Sequence, residues 1–131
     1  MVVVALFVSY KTTAEQVQVA DIGDISELNG SAQIVRNKTS NTAALKLGIQ
    51  TYDEAITKNG RMAITFLDNS TVKLTEHSQL VVDEYIYDPD PSKSKMSLNF
   101  ALGTARFITG NLNRIDKQNI KLSTPTANIA I

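Results

Sequence analysis

Cysteine and tryptophan are absent from this 131-residue chain, and histidine occurs once, as His77. Without cysteine there is no thiol nucleophile, no thiolate-bound metal and no disulfide, so the hydrophobic core must hold the fold unaided. One histidine falls short of the three or four nitrogen or sulfur ligands that a zinc site takes. A catalytic triad would need a positioned nucleophile, and no Gly-x-Ser-x-Gly occurs. His77 is read as a surface turn residue within Thr75-Glu76-His77-Ser78, and the chain is expected not to be an enzyme. No catalytic, cofactor-binding or metal residue is assigned. Charge of one sign is also lacking: thirteen basic residues cancel thirteen acidic ones. Nothing in that balance calls for a polyanion, and no nucleic-acid module is recognisable, so no nucleic-acid partner is expected.

Long apolar runs are missing too. The longest, Met1–Val8, is eight residues, whereas a membrane-crossing helix needs about 20. It matches the apolar part of a secretory signal, with Thr12-x-Ala14 as a small-residue cleavage site, though without a basic leading segment. Residues 1–20 are accordingly expected to be a partial signal peptide and leader, and residues 21–131 one domain exported to the periplasm or beyond. A first buried strand is the alternative for the apolar run.

What is present favours strands. Thirteen Thr and ten Asn accompany abundant Val and Ile, and the hydrophobic share of 43% suffices for a core. Branched side chains pack well on a pleated surface, and Asn tolerates turn geometry. Met62, Ile64 and Phe66 alternate with polar or small residues, Asp68-Asn69-Ser70 makes a turn, and Val72 and Leu74 resume the alternation. That is a β-hairpin with one buried face. Leu80 and Val82 open a strand running to Tyr87, ended by Pro89 and Pro91, which cannot donate to a ladder. Met96, Leu98, Phe100 and Leu102 alternate again, and Phe107-Ile108, Ile120–Leu122 and Ala127–Ile131 follow. Asn29-Gly30 and Lys58-Asn59-Gly60 mark turns, and the polar residues 36–44 read as an exposed loop. No segment shows ten residues of helical period. The expected fold is all-β, a single domain of short stacked strands and hairpins in a solenoid-like or sandwich-like roll.

Four segments in order carry a resemblance. They are MAITFLDNSTVKL from Met62, EHSQLVVDEY from Glu76, LGTARFITG from Leu102 and IKLSTPTANIAI from Ile120. Together they resemble the FecR-like family of bacterial envelope proteins, over about Ile22 to Ile131. Two departures stand out: the family's hairpin turn usually reads Asp-Gly-Ser or Asp-Gly-Thr rather than Asp68-Asn69-Ser70, and its pattern usually runs on past Ile131. The chain is therefore expected to be a truncated member. The resemblance implies an envelope domain of stacked strands without a cofactor. In the name-giving members that domain belongs to a sensor relaying an outer-membrane signal to a sigma factor.

The implied function is a non-enzymatic binding domain in signalling or regulation, with an envelope protein or glycan as partner. The alternative is a structural or adhesive domain that packs against its neighbours. Partner-binding candidates are Tyr85 and Tyr87, on one side of their strand as an aromatic ledge or as core, and Arg106, placed to pair with the acidic Asp83, Glu84, Asp88 and Asp90. Those carboxylates lack the EF-hand pattern and read as turn and edge protection. Asn29, Asn37 and Asn69 head glycosylation-type triplets, which chance explains in so Asn- and Thr-rich a chain. The uncharged C-terminal strand is expected to form an exposed edge, with Ala127, Ile129 and Ile131 facing one way, open to self-association.

Overall fold

The computed structural model describes residues 19–110, 114–124 and 128–130; the leader assigned to residues 1–20 thus lies, from 1 to 18, outside the described residues. Twelve strands follow in order: β1 (Gly23–Asn29), β2 (Ala32–Arg36), β3 (Thr39–Thr42), β4 (Gly48–Ile49), β5 (Glu54–Thr57), β6 (Arg61–Phe66), β7 (Thr71–Leu74), β8 (Gln79–Ile86), β9 (Lys95–Leu102), β10 (Thr104–Ile108), β11 (Ile120–Ser123) and β12 (Asn128–Ala130). Only two three-residue 3-10 turns, Pro91–Lys93 and Lys117–Asn119, interrupt them among the described residues. The fold is all-β, and no described helix is long and apolar enough to cross a membrane.

The strands form two six-stranded sheets. Sheet I runs β12-β10-β7-β6-β1-β4 and sheet II runs β11-β9-β8-β5-β2-β3. One core contains residues of both: Ile25, Ile64, Phe66, Val72, Leu74 and Phe107 from sheet I, with Ile34, Leu80, Val82, Leu98 and Phe100 from sheet II. The β6–β7 hairpin has the expected register, Met62 opposite Leu74 and Ile64 opposite Val72, with Asn69 at φ 68° in the turn. Asn takes the left-handed conformation that most residues avoid.

The remaining turn signals do something other than close hairpins. Asn29-Gly30 carries the chain from sheet I to sheet II, and Lys58-Asn59-Gly60 carries it back. Four such corners, at 29–32, 57–61, 74–79 and 102–104, stack on one another. Lys58 N–H donates to the Ser31 carbonyl, His77 N–H to the Lys58 carbonyl, and Thr75 N–H to the Thr104 carbonyl. Two buried hydroxyls complete the stack. Thr57 donates to the Thr75 carbonyl at 2.6 Å and accepts from Ser78 N–H at 2.8 Å. Ser78 in turn both donates to the Thr104 carbonyl and accepts from Thr104 N–H, each at 3.1 Å. Gly103, at φ 88°, leaves no room for a side chain: a Cβ there would lie 2.3 Å from Ser78 Oγ.

At the C-terminal end the pairing changes character. β11 runs parallel to β9 and β12 parallel to β10, so the path β9–β10–β11–β12 is one turn of a coil laid on itself. β12 is an edge of sheet I, as the strand signal at Ala127–Ile131 suggested. The facing of Ala127 and Ile131, and of the Ile129 side chain, lies outside the described residues.

Two sequence expectations are corrected. Residues 36–44 are not simply a loop: Thr39–Thr42 is an edge strand on β2, joined by a two-residue turn in which Asn37 and Lys38 both have positive φ, 51° and 66°. That geometry matches the twist of a hairpin, and the all-polar strand hid it because all four of its residues are exposed. Leu102 does not join the core and is 52% exposed. A bulge sets Gln79 opposite Leu102 but Leu80 opposite Phe100, and this extra residue in β9 reverses the alternation.

Candidate interaction surface

Tyr85, read either as core or as half of an aromatic ledge, faces inward and is 7% exposed, as the core reading expects. A second bulge, between Val82 and Glu84, makes this possible. Without it Glu84 would fall in phase with Leu80 and Val82; with it Tyr85 does. Its ring stacks on Phe66 with centroids 5.3 Å apart. Its hydroxyl donates to Asp68 Oδ1 at 2.6 Å and accepts from Asp68 N–H at 3.1 Å, while Ser70 Oγ donates to the same carboxylate oxygen at 2.8 Å. Burial, and then the Asp68 carboxylate, push the phenol pKa far up, so Tyr85 stays neutral. It pins the tip of the sheet I hairpin to sheet II and offers no surface to a partner.

Tyr87 follows the end of β8, is 37% exposed, and accepts a hydrogen bond from Arg114 Nη1 at 2.6 Å. With one tyrosine buried and the other exposed just beyond the strand, the two form no common ledge.

The acidic stretch is likewise divided. Asp83 and Glu84 sit exposed at the bulge, whereas Asp88 and Asp90 shape the β8–β9 turn. Asp88 Oδ1 accepts from Asp90 N–H, and Asp90 Oδ1 accepts from Ser92 N–H and Oγ, which lowers the Asp90 pKa. No group of three or more metal-ligating side chains converges among the described residues. His77 is exposed in the third corner at φ 55°.

Arg106 does not pair with that stretch, which belongs to sheet II and its turn; the expectation is overturned by topology. Arg106 lies exposed on the outer face of sheet I, on β10, directly opposite Lys73 of β7. Lys73 is opposite Ala63 of β6, and Ala63 opposite Glu27 of β1. The row therefore reads Arg106, Lys73, Ala63, Glu27 across four strands. One step nearer the corners lie Thr104, Thr75 and Arg61. Between these rows is a concavity of about 580 Å³ lined by Glu27, Arg61, Lys73, Thr75, Thr104 and Arg106. Its ion pairs are long and exposed: Arg61 to Glu76 at 3.8 Å and Lys73 to Glu27 at 3.9 Å. Such pairs contribute about 0–1 kcal/mol. No carboxylate among the described residues reaches Arg106.

Sequence reading singled out Arg106 but neither Lys73 nor Arg61 as its neighbours. Their proximity depends on the pairing of β10 with β7 across the intervening strands of sheet II, which no local pattern announces.

A contrasting ion pair is structural. Asp53, 2% exposed, receives Arg36 through both carboxylate oxygens, at 2.9 and 2.7 Å, and also accepts Gln50 N–H at 2.8 Å. Arg36 also donates to the Gly48 carbonyl, which ties the β2–β3 hairpin to the segment leading into β5. The hydrogen bond to Asp53, above all, raises the Arg36 pKa.

Among comparisons with known proteins, the family described as FecR protein matches residues 53–131, from the β4–β5 connection to the end of the chain and more than half of its length. No curated protein and no solved structure matches.

Proposed function

Because the chain belongs to the FecR protein family, we propose that it is a non-enzymatic binding domain of the bacterial envelope that works in signalling or regulation by contacting another protein. The family match over residues 53–131 carries this reading, since FecR proteins are a regulatory family. The surface is consistent with it. Buried polar groups at the corners and in the Tyr85–Asp68–Ser70 cluster are spent on holding the sheets together, and the outer face of sheet I presents charge held only in long, exposed ion pairs. We read the architecture as a sandwich-like roll whose last four strands are solenoid-like, and the location as periplasmic or extracellular.

Two measurements on the native gene test the proposal. Cell fractionation with protease accessibility should find the protein outside the cytoplasmic membrane. Deleting the gene should change the transcripts of a restricted set of genes. A cytoplasmic protein whose loss leaves transcription unaltered would sink the reading.

A further inference from the structure

Arg106 and Lys73 face solvent from directly opposite positions on β10 and β7. Like charges so placed destabilise a strand pair. Lys73 turns toward Glu27, across Ala63, at the outer limit of an ion pair, and Arg106 has no carboxylate within reach among the described residues. The pair lies at the rim of the 580 Å³ concavity, beside the hydroxyl-bearing Thr75 and Thr104. Repulsion that the long Lys73–Glu27 pair offsets only in part becomes attraction once an anion lies between the two cations.

We propose that this groove on the outer face of sheet I binds an acidic, extended segment of a partner protein, with Arg106 and Lys73 receiving its carboxylates. The proposal rests on the binding-domain reading above and assigns it a surface and a ligand chemistry. A guanidinium presents a planar fork of donors that matches a carboxylate, and the neighbouring ammonium adds a second charge. The groove also bears Glu27 and, through Arg61, adjoins Glu76. That mixture disfavours a uniformly charged polyanion, because Glu27 would repel it where it crosses β1. It suits a peptide in which acidic residues alternate with neutral or basic ones. Thr104 supplies a hydroxyl for the peptide, and the Thr75 hydroxyl, which donates to the Thr104 carbonyl at 3.2 Å, keeps its acceptor capacity.

The test is an NMR titration of the full chain with three probes: an acetylated peptide alternating Glu and Val, its Lys-for-Glu counterpart, and heparin as a uniformly charged polyanion. The Glu peptide should move the amides of Lys73, Ala63 and Arg106 saturably, with added salt weakening the effect. Arg106→Gln should weaken this binding about tenfold while leaving the melting temperature unchanged or slightly raised, since it removes a repulsion. A drop of several degrees in that variant would show Arg106 to be a structural residue and overturn the argument. Equal binding by Arg106→Gln, or no movement at these amides up to millimolar peptide, would overturn it as well. Heparin moving the same amides when the Glu peptide does not would make the ligand a glycan and refute the peptide. If the groove fails while gene deletion still alters transcription, the signalling role stands and its contact surface lies elsewhere.

Discussion

Tyr85 carries two jobs in one side chain: a ring stacked on Phe66 and a hydroxyl that is both donor and acceptor to Asp68. Tyr85→Phe keeps the ring and strips both bonds, leaving a buried carboxylate served by Ser70 in a site 4% exposed at Asp68. The expected loss is about 1–3 kcal/mol, measured by urea melts. The same residue sets a pH dependence. Its folded pKa is raised above its unfolded value, near 10 for tyrosine. Its contribution is therefore fully present below about pH 10 and is lost above it, where the unfolded chain ionises and the folded one does not. Wild-type stability should fall more steeply above that pH than the stability of Tyr85→Phe, and parallel curves would contradict the assignment. The inward set Met62, Ile64, Phe66, Val72 and Leu74 was legible from alternation alone. Leu102 was not, and Tyr85 stayed open between core and ledge, because a bulge adds one residue and swaps the two faces without a marker in residue type. One clue existed: strict alternation from Leu80 would have aimed Glu84 at the core.

Among elements, the corners illustrate how far turn signals reach. Asn29-Gly30 and Asn59-Gly60 announced turns correctly, but a turn signal does not say whether the next strand pairs with the last or crosses to the other sheet. The answer lies in the stacking of corners through Thr57 and Ser78, two ordinary hydroxyl residues far apart from their partners in sequence. Ser78→Ala should cost about 1–3 kcal/mol, since the Thr104 N–H and carbonyl both lose a partner in a part-buried position. Gly103→Ala should cost at least as much, as the methyl would meet Ser78 in a backbone conformation that alanine resists. Thermal melts of the two variants and their double mutant should show non-additive losses, because both act on one contact. The β2–β3 hairpin offers the opposite case. Lys38 holds φ 66° at an exposed turn position where glycine is at ease, so Lys38→Gly should stabilise the domain by about 0.5–1 kcal/mol. A loss in the same assay would show that the lysine side chain contributes something the turn geometry does not reveal.

For the whole molecule, the all-β class and the strand-and-turn order were readable from composition and period. The partition into two sheets was not, since it depends on pairings such as Arg106 with Lys73 that join residues 33 positions apart in number. The edges matter at this scale. β3 and β11 border sheet II, and β4 and β12 border sheet I. β3, with its Thr-Ser-Asn-Thr sequence, and β12, Asn-Ile-Ala, carry no charge to discourage pairing with another chain. Light scattering should therefore show association that grows with protein concentration. A scattering mass that stays monomeric throughout would mean that both edges are guarded.

The coil formed by the last four strands also imposes an order in time. β11 and β12 each find a parallel neighbour only after β9 and β10 are in place, and each contributes four residues or fewer. The return from β10 to β11 must close before either pairing gives anything back, so this layer is the last to form and the first to open. In hydrogen exchange, amides of β11 and β12 should lose protection well before those of β6, β7 and β8, while the rest of the domain stays folded. Opening of β11 is thus expected to lift Ile120 and Leu122 off the core they pack against, so the two last strands would act as a clasp on its rim.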